Sequence, residues 1–275
     1  MTIDEMKILK KQRGYSVAYI SDRSGVPVGT LTKIFSGETK IPRRETINML
    51  TEFFTKGEPQ ARLFGEEYKI EEGLTDGALL AESSIGYGAP IKSQGDYTYE
   101  DLDSLPHGVR CELIDGVLYD MSSPTTLHAR IAKSFFMQFQ SYIMANAGSC
   151  EAFMGDVAVT DDDFYKTAMV PDFLVVCDED KIDMKGINGA PDFVLEIISP
   201  SSERRDMVIK KAKYFSMGVR EYWIVDPRRE CVMVFQKGDD IGMVHPLSGK
   251  LGVHIYEEHL QINLDEIGEI VRAMQ

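Results

Sequence analysis

Apolar positions in the opening segment recur at helical spacing. Met6 and Leu9, Val17 and Ile20, Leu31 and Ile34, then Ile47, Leu50 and Phe53 each share a face, which predicts four or five short helices. The stretch SVAYISDRSGVPVGTLTKIFSGETKIP carries the punctuation between them. Ser16 suits an N-cap, Gly25 a left-handed helix end, and Pro27 the first turn of the next helix. Two short helices about a glycine turn make a helix-turn-helix, whose second member, here Pro27 to Phe35, can enter a major groove. Residues 1–57 therefore read as one small all-α domain. Residues 58–96 are rich in Gly, Glu and Ser and lose the period, so they read as a connector with one short helix near Leu79 to Glu82.

Over residues 97–275 the pattern turns to mixed strand and helix. CELIDGVLYDM predicts a strand pair with Asp115-Gly116 at its turn. In TTLHARIAKSFFMQFQSYIMANAG, Ile131, Phe135, Phe139 and Ile143 recur every four residues and Gly148 stops the helix. Three β-rich runs follow, AFMGDVAVT, AMVPDFLVVCD and APDFVLEIIS. A helix from about Ser202 to Met217 then ends on Gly218, and EYWIVDP, CVMVFQKG and a last strand near VHIYEEH complete the pattern. The expected fold is α/β, a mixed sheet flanked by helices and preceded by the helix-turn-helix domain.

Composition changes this picture in two places. The 275 residues and 43% hydrophobic content support at least one full core, and the N-terminus lacks the apolar run of a signal peptide. No stretch approaches the ~20 apolar residues that span a bilayer, so a cytoplasmic protein without a membrane partner is expected. Cys111, Cys150, Cys177 and Cys231 form no C-x-x-C pair and are expected to be buried free thiols rather than disulfides or zinc ligands. The net charge of −14 is uneven: residues 1–60 hold ten Lys/Arg against seven Asp/Glu, or +3, which leaves −17 on the rest. Only the first segment suits phosphate unaided. The acidic remainder needs metal ions or local basic groups to approach DNA.

The chemistry concentrates in PDFLVVCDEDKIDMKGINGAPDFVLEIISP, which contains Pro-Asp twice and Glu196 inside the second apolar run. Asp192 shares a strand and a face with Glu196 but sits ~13 Å from it, whereas oxygens on one Mg²⁺ lie within ~4 Å of each other. Asp172 is on a different strand. If the two strands pair, Asp172 and Glu196 come within ~5 Å and can share the metal.

An aspartate after proline and a glutamate on the next strand resemble the PD-(D/E)XK nuclease superfamily. More closely, ELIDGVLYDM, His128, VPDFLVVCD, GAPDFVLEIISPSS and RDMVIKKAKYFSMGVREYWIVDP, over about Tyr97 to Ile267, resemble the Uma family of restriction-endonuclease-like proteins. The superfamily's lysine position, two after the glutamate, is Ile198 here, and isoleucine cannot polarise phosphate. The replacement implied by the Uma pattern is Lys210, which stands with Asp206 and Tyr214 at i, i+4 and i+8, while Lys211 and Lys213 point elsewhere. The resemblance implies Mg²⁺ or Mn²⁺ on Asp172 and Glu196. Glu112 or His128 completes the shell or the water network, and Lys210 stabilises the phosphate or helps activate water. Glu112 is the weaker ligand because its strand lies outside the three-strand core, and His128 is equally readable as a helix residue bonded to a loop. Asp115 reads as a turn residue, and Tyr222 and Trp223 as core.

The N-terminal pattern, from Ala18 and Ile20 through Ser24-Gly25-Val26 to TLTKIFSG and IPRRETI, resembles the Cro and phage-repressor type of helix-turn-helix, often called Xre-like. That resemblance turns Val28, Thr30, Thr32 and Lys33 towards DNA and sets Lys40, Arg43 and Arg44 near phosphates. A DNA-binding, metal-dependent endonuclease acting as a homodimer is the expectation. The alternative is a DNA-binding regulator whose nuclease-like domain is inactive and serves dimerisation or sensing. A domain acting on RNA or a free nucleotide would use the same metal site.

Overall fold

The computed structural model describes residues 1–12, 17–39, 42–55, 61–63, 66–68, 92–106, 108–146, 148–161, 165–239 and 242–274. The expected N-cap Ser16, the short helix near Leu79 to Glu82 and the phosphate candidate Lys40 lie outside them. Four helices open the chain: α1 (Ile3–Gln12), α2 (Val17–Ser24), α3 (Val28–Phe35) and α4 (Arg44–Thr55). Met6, Ile20, Leu31, Ile34, Leu50 and Phe54 form their buried core. Gly25 takes φ +72° and its amide closes α2 onto Ser21 O at 2.9 Å, while Pro27 caps α3. That left-handed backbone favours glycine and makes the tight turn between α2 and α3.

The connector holds more structure than its composition suggests. Strands β1 (Ala61–Leu63) and β2 (Glu66–Tyr68) form a hairpin whose β1 joins the edge of the main sheet. Helix α5 (Tyr99–Asp103) follows, with a capping box between Thr98 and Asp101. Strands β3 (Cys111–Ile114) and β4 (Val117–Asp120) turn at Asp115 and Gly116, both at positive φ, and a Cβ on Gly116 would collide with Gly95 O. Helix α6 (Thr126–Ala145) buries the expected Ile131, Phe135, Phe139 and Ile143.

Two of the β-rich runs are broken by their own residues. AFMGDVAVT divides at Gly155-Asp156, both at positive φ, into β5 (Glu151–Met154) and β6 (Ala158–Thr160). AMVPDFLVV divides around Pro171 into β7 (Ala168–Met169) and β8 (Phe173–Val176), since proline lacks the ladder's donor. Strand β9 (Gly186–Asn188) precedes β10 (Phe193–Ile197). A long helix then contains a π segment, Arg205–Lys210, before α7 (Lys211–Met217) ends on Gly218 at φ +118°. Strands β11 (Glu221–Asp226), β12 (Cys231–Gln236), β13 (Met243–Pro246), β14 (Lys250–Gly252) and β15 (Gln261–Asn263) lead to α8 (Leu264–Arg272). VHIYEEH is not a strand: His254–Tyr256 is a 3-10 turn, and Glu257 and Glu258 have positive φ.

The main sheet runs β2-β1-β13-β12-β11-β10-β8-β5, and a second sheet runs β4-β3-β7-β6-β9. Phe193, Leu195 and Ile197 of β10 join Phe135, Phe139, Trp223, Ile267 and Val271 in a core beneath α6 and α8. Val194 and Ile198 enter a different core, with Met207, Tyr214 and Tyr222. Every residue of β10 is buried, as expected for a central strand covered on both faces. Strands β10 and β11 are parallel, so their connection must cross over, and the π segment and α7 make that crossing. The crossover lays its helix on the face of β10 that carries Glu196.

The cysteines depart from expectation. Glu151 pairs with Val176 across β5 and β8, so the next rung sets Cys150 opposite Cys177, and the two form a disulfide. Cys111 and Cys231 are buried free thiols, as expected.

Candidate functional site

The crossover brings a lysine to the glutamate. Lys210 Nζ lies 2.6 Å from Glu196 Oε1, 3.2 Å from Glu112 Oε2 and 3.9 Å from Asp206 Oδ1, and also donates to Val170 O at 3.4 Å. Lys211 instead stands over the Phe235 ring, and Lys213 pairs with Asp115 and Asp161. Ile198 is buried among apolar neighbours, so the usual lysine position is core. Glu112, expected as the weaker member because of its strand, is brought fully into the group. The second sheet packs its Glu112 face onto the helix, whereas Cys111 and Leu113 face a separate small core.

Asp172 stands one rung beyond the Leu195–Phe173 pair, directly across the ladder from Glu196. Its Oδ2 accepts the Ile197 amide at 2.7 Å. Asp192 does the mirror-image job, accepting the Cys177 amide at 2.8 Å, so each Pro-Asp caps the far end of the other strand. The two aspartates differ in their remaining oxygen. Asp192 Oδ1 is bound by Arg220 at 3.2 Å, while Asp172 Oδ1 has no hydrogen bond among the described residues.

The electrostatics are those of a buried, acid-rich cluster. Glu112, Glu196, Asp206 and Lys210 are 1–4% exposed. Burial pushes Glu196 well above the usual carboxylate range, against the pull of Lys210, and pushes Asp206 up to about 6. Asp172 is likewise raised by burial, against the Ile197 amide, His128 and Lys210. For Lys210 burial opposes the charge, but Glu112, Glu196 and Asp206 outweigh it and hold the ammonium above its ordinary value. Tyr214 adds a long hydroxyl contact of 3.5 Å to Glu196 Oε1.

The π segment has a visible cause. Tyr222 OH donates to Asp206 O at 2.9 Å and so competes for a carbonyl of the helical ladder. The head of the helix is tied to the end of β11, with Glu203 held by Arg228 at 2.6 Å and by Arg229 at 3.1 Å. Sequence reasoning missed Tyr222 in this role, because only the β10–β11 register places it under the helix. Buried Arg205 was missed as well. It reaches Asp120 O at 2.8 Å and Asp206 at 4.0 Å, and its one signal was its position just before Asp206.

His128 stays at the edge. Its Nε2 donates to Ile197 O at 2.7 Å, which leaves Nδ1 to accept from Thr125 Oγ1 at 2.9 Å. Both nitrogens are committed, so it flanks Asp172 through Ile197 and does not join the carboxylates.

Hard oxygen donors suit Mg²⁺ or Mn²⁺, and two features fit a cation here. Glu112 Oε2 is buried and accepts no hydrogen bond despite its nearness to Lys210. Three carboxylates also share the one ammonium of Lys210, with Asp172 close enough to feel its charge and Arg205 4.0 Å from Asp206. Among the described residues no group of three or more His, Cys, Asp or Glu side chains is arranged to hold a metal ion. Asp172 and Glu196 stand opposite one another on the ladder, and a pair of carboxylates is a donor number that would suit Mg²⁺ with water and phosphate.

In the helical domain, Val28, Thr30, Thr32, Lys33, Arg43 and Arg44 are all exposed, while Leu31 and Ile34 face inward. Lys33 shares its charge with Glu38 at 3.7 Å.

The mixed sheet, the crossover helix and the paired Pro-Asp and glutamate strands define a restriction-endonuclease-like α/β protein. The Uma2 model, described as "Putative restriction endonuclease", matches residues 97–253, and the chain belongs to that family. Its fold is also similar to a structure titled as a putative nuclease belonging to DUF820 from Anabaena variabilis ATCC 29413. That match has a TM-score of 0.53 and 19% identity, and covers 63% of this chain and 98% of that one. No curated protein matches the chain. Among the described residues no helix is long and apolar enough to cross a membrane.

Proposed function

We propose that the chain is a DNA endonuclease dependent on Mg²⁺ or Mn²⁺, in which Asp172 and Glu196 hold the ion and the helix-turn-helix brings the acidic domain to its substrate. The observation that carries the reading is Lys210 Nζ at 2.6 Å from Glu196 Oε1, a lysine supplied by the crossover helix where the strand offers only Ile198. The ion supplies Lewis acidity and neutralises phosphate charge. Lys210 stays protonated, so its role is to stabilise charge on the phosphate rather than to take a proton from water. Glu112 Oε2, with no donor of its own, is the group free to orient a water. Asp172 is the half-buried member, so substrate approaches from its side.

On the helical domain, Val28, Thr30, Thr32 and Lys33 read bases, and Lys40, Arg43 and Arg44 contact phosphates. Two copies acting as a homodimer would let each helical domain take one half-site. The test is cleavage of plasmid and single-stranded DNA with Mg²⁺ or Mn²⁺ by the full chain and by Asp172→Asn and Glu196→Gln. Loss of at least a hundredfold in both variants is expected, and activity unchanged in both would overturn the site. The burial of the cluster and the apolar Ile198 favour a second reading, a DNA-binding regulator with an inactive domain. It requires sequence-selective binding without cleavage and no Mn²⁺ uptake by calorimetry.

A further inference from the structure

Behind the carboxylate cluster, on the opposite face of β3, lies a cleft of about 310 Å³. That is at the lower end of the range for small-ligand sites, roughly 300–1,000 Å³. Three chain segments each line the cleft; two of them also touch Lys210, and the third bonds the backbone of Asp172. Cys111 lines the cleft, and the next side chain, Glu112, faces Lys210. Val170 lines it, and its carbonyl accepts from Lys210. Asp156 stands at its rim, and the preceding amide, Gly155, donates to Asp172 O at 3.2 Å. Val170 is two residues from Asp172, a span of roughly 7 Å in extended chain, about the reach of one nucleotide.

We propose that this cleft is a nucleobase subsite, holding the unstacked base of the nucleotide that flanks the scissile phosphate. The inference rests on the nuclease reading and names its substrate as single-stranded or locally opened nucleic acid. The lining selects the base over the phosphate. Tyr99, Leu102, Val109 and Met121 offer apolar walls for a flat ring. At the rim two carboxylates, Asp103 and Asp156, stand against one guanidinium, Arg110, so the local charge repels phosphate. Arg110 pairs with Asp156 at 2.7 Å on the exposed edge, a bond that opens at little cost. Released, the guanidinium donates to ring nitrogens and carbonyls while a carboxylate accepts from ring N–H and amino groups. Guanine presents both on one molecule: N1–H and the N2 amino group for a carboxylate, O6 and N7 for arginine. A base paired and stacked in a duplex cannot enter, which sets the single-strand requirement.

The probe is guanosine, which carries no phosphate, followed by saturation-transfer NMR on the full chain beside adenosine, cytidine and uridine. The expected result is transfer strongest for guanosine, unaffected by removing divalent metal, and reduced about tenfold by Arg110→Ala, Asp103→Ala or Met121→Trp, each checked for native circular dichroism. The same variants should raise KM for a single-stranded oligonucleotide about tenfold and leave kcat within about twofold. Transfer from none of the four nucleosides, or guanosine transfer unchanged in all three variants, overturns the subsite. A chain that binds guanosine but cuts nothing supports the subsite and sinks the nuclease reading, while one that cuts DNA without binding guanosine sinks the subsite alone.

Discussion

Lys210→Met is the sharpest single perturbation of this chain. Methionine matches the lysine's apolar stem, so little packing is lost and the change isolates the ammonium. That ammonium touches Glu196 and Glu112 at 2.6 and 3.2 Å and lies 3.9 Å from Asp206. Removing one partner of a buried ion pair leaves an uncompensated charge, at a cost of about 3–5 kcal/mol. At pH 8 the variant should therefore lose roughly 1–2 M in its urea midpoint, for a slope of about 2–3 kcal/mol/M. The loss must shrink on acidification. Without the ammonium Glu196 and Asp206 rise further above their unfolded values, so the native state binds more protons than the unfolded one and stability increases as pH falls. Lys210 in the parent chain is protonated at both ends of this range and contributes no slope of its own. Urea titrations at pH 8 and 5.5 should show the deficit falling by about half, and adding Glu196→Gln should restore about 1–2 kcal/mol at pH 8. A deficit below about 1 kcal/mol at pH 8, or one that grows on acidification, would refute the buried-pair reasoning.

Asp206, pushed up to about 6 from 3.8, carries a proton in the native chain near pH 5 while the unfolded chain is ionised. Its contribution is present below that value and lost as pH rises through about 6, so Asp206→Asn should flatten the gain in urea midpoint between pH 7 and pH 5. Asp192→Ala loses bonds to the Cys177 amide and Arg220 and should cost about 1–3 kcal/mol while leaving cleavage within about twofold. Asp172→Asn keeps an acceptor for the Ile197 amide, so it should unfold like the parent chain yet abolish cleavage, and equal stability losses in the two variants would contradict this division. The Cys150–Cys177 bond closes a 27-residue separation, for which chain entropy gives about 3–4 kcal/mol. Dithiothreitol should lower the melting temperature, and thiol titration of the unreduced, denatured chain should find only Cys111 and Cys231.

Much of this molecule was legible because its signals are local. The four-residue period of α6, the Asp115-Gly116 turn, the Gly25 and Gly218 helix ends and the alternation on β10 each follow from a few consecutive residues. Lys210 was legible too, since one helical turn from Asp206 it can face only one side. The unread features depend on pairing between distant residues. No local period reveals β1 and β2 within a Gly- and Glu-rich connector, because their partner is β13 near the other end of the chain. Cys150 and Cys177 carry no spacing motif, and only the β5–β8 register sets them opposite. The π segment has the same origin, since it depends on a tyrosine hydroxyl from β11. The nearness of Glu112 to Lys210 shares that origin: its strand belongs to another sheet, and what brings it in is the packing of that sheet on the crossover helix.

The doubled Pro-Asp condenses the difference between motif and site. In an antiparallel pair, a residue just before one strand meets the residue just after the other, so the same dipeptide at both heads gives two equivalent amide caps. Local sequence therefore makes Asp172 and Asp192 alike, and both are used alike by the ladder. What separates them is the rest of their surroundings. At Asp192 the second oxygen meets Arg220 on an open edge and is satisfied there. At Asp172 it is left over, directly across from Glu196, beneath a helix whose lysine is already shared among three carboxylates. A structural cap with one oxygen to spare could serve as a ligand only where a neighbouring strand supplies the second acid. The strand register decides that, because it sets Asp172 across from Glu196, under the Lys210 helix, and leaves Asp192 at the opposite end of the ladder.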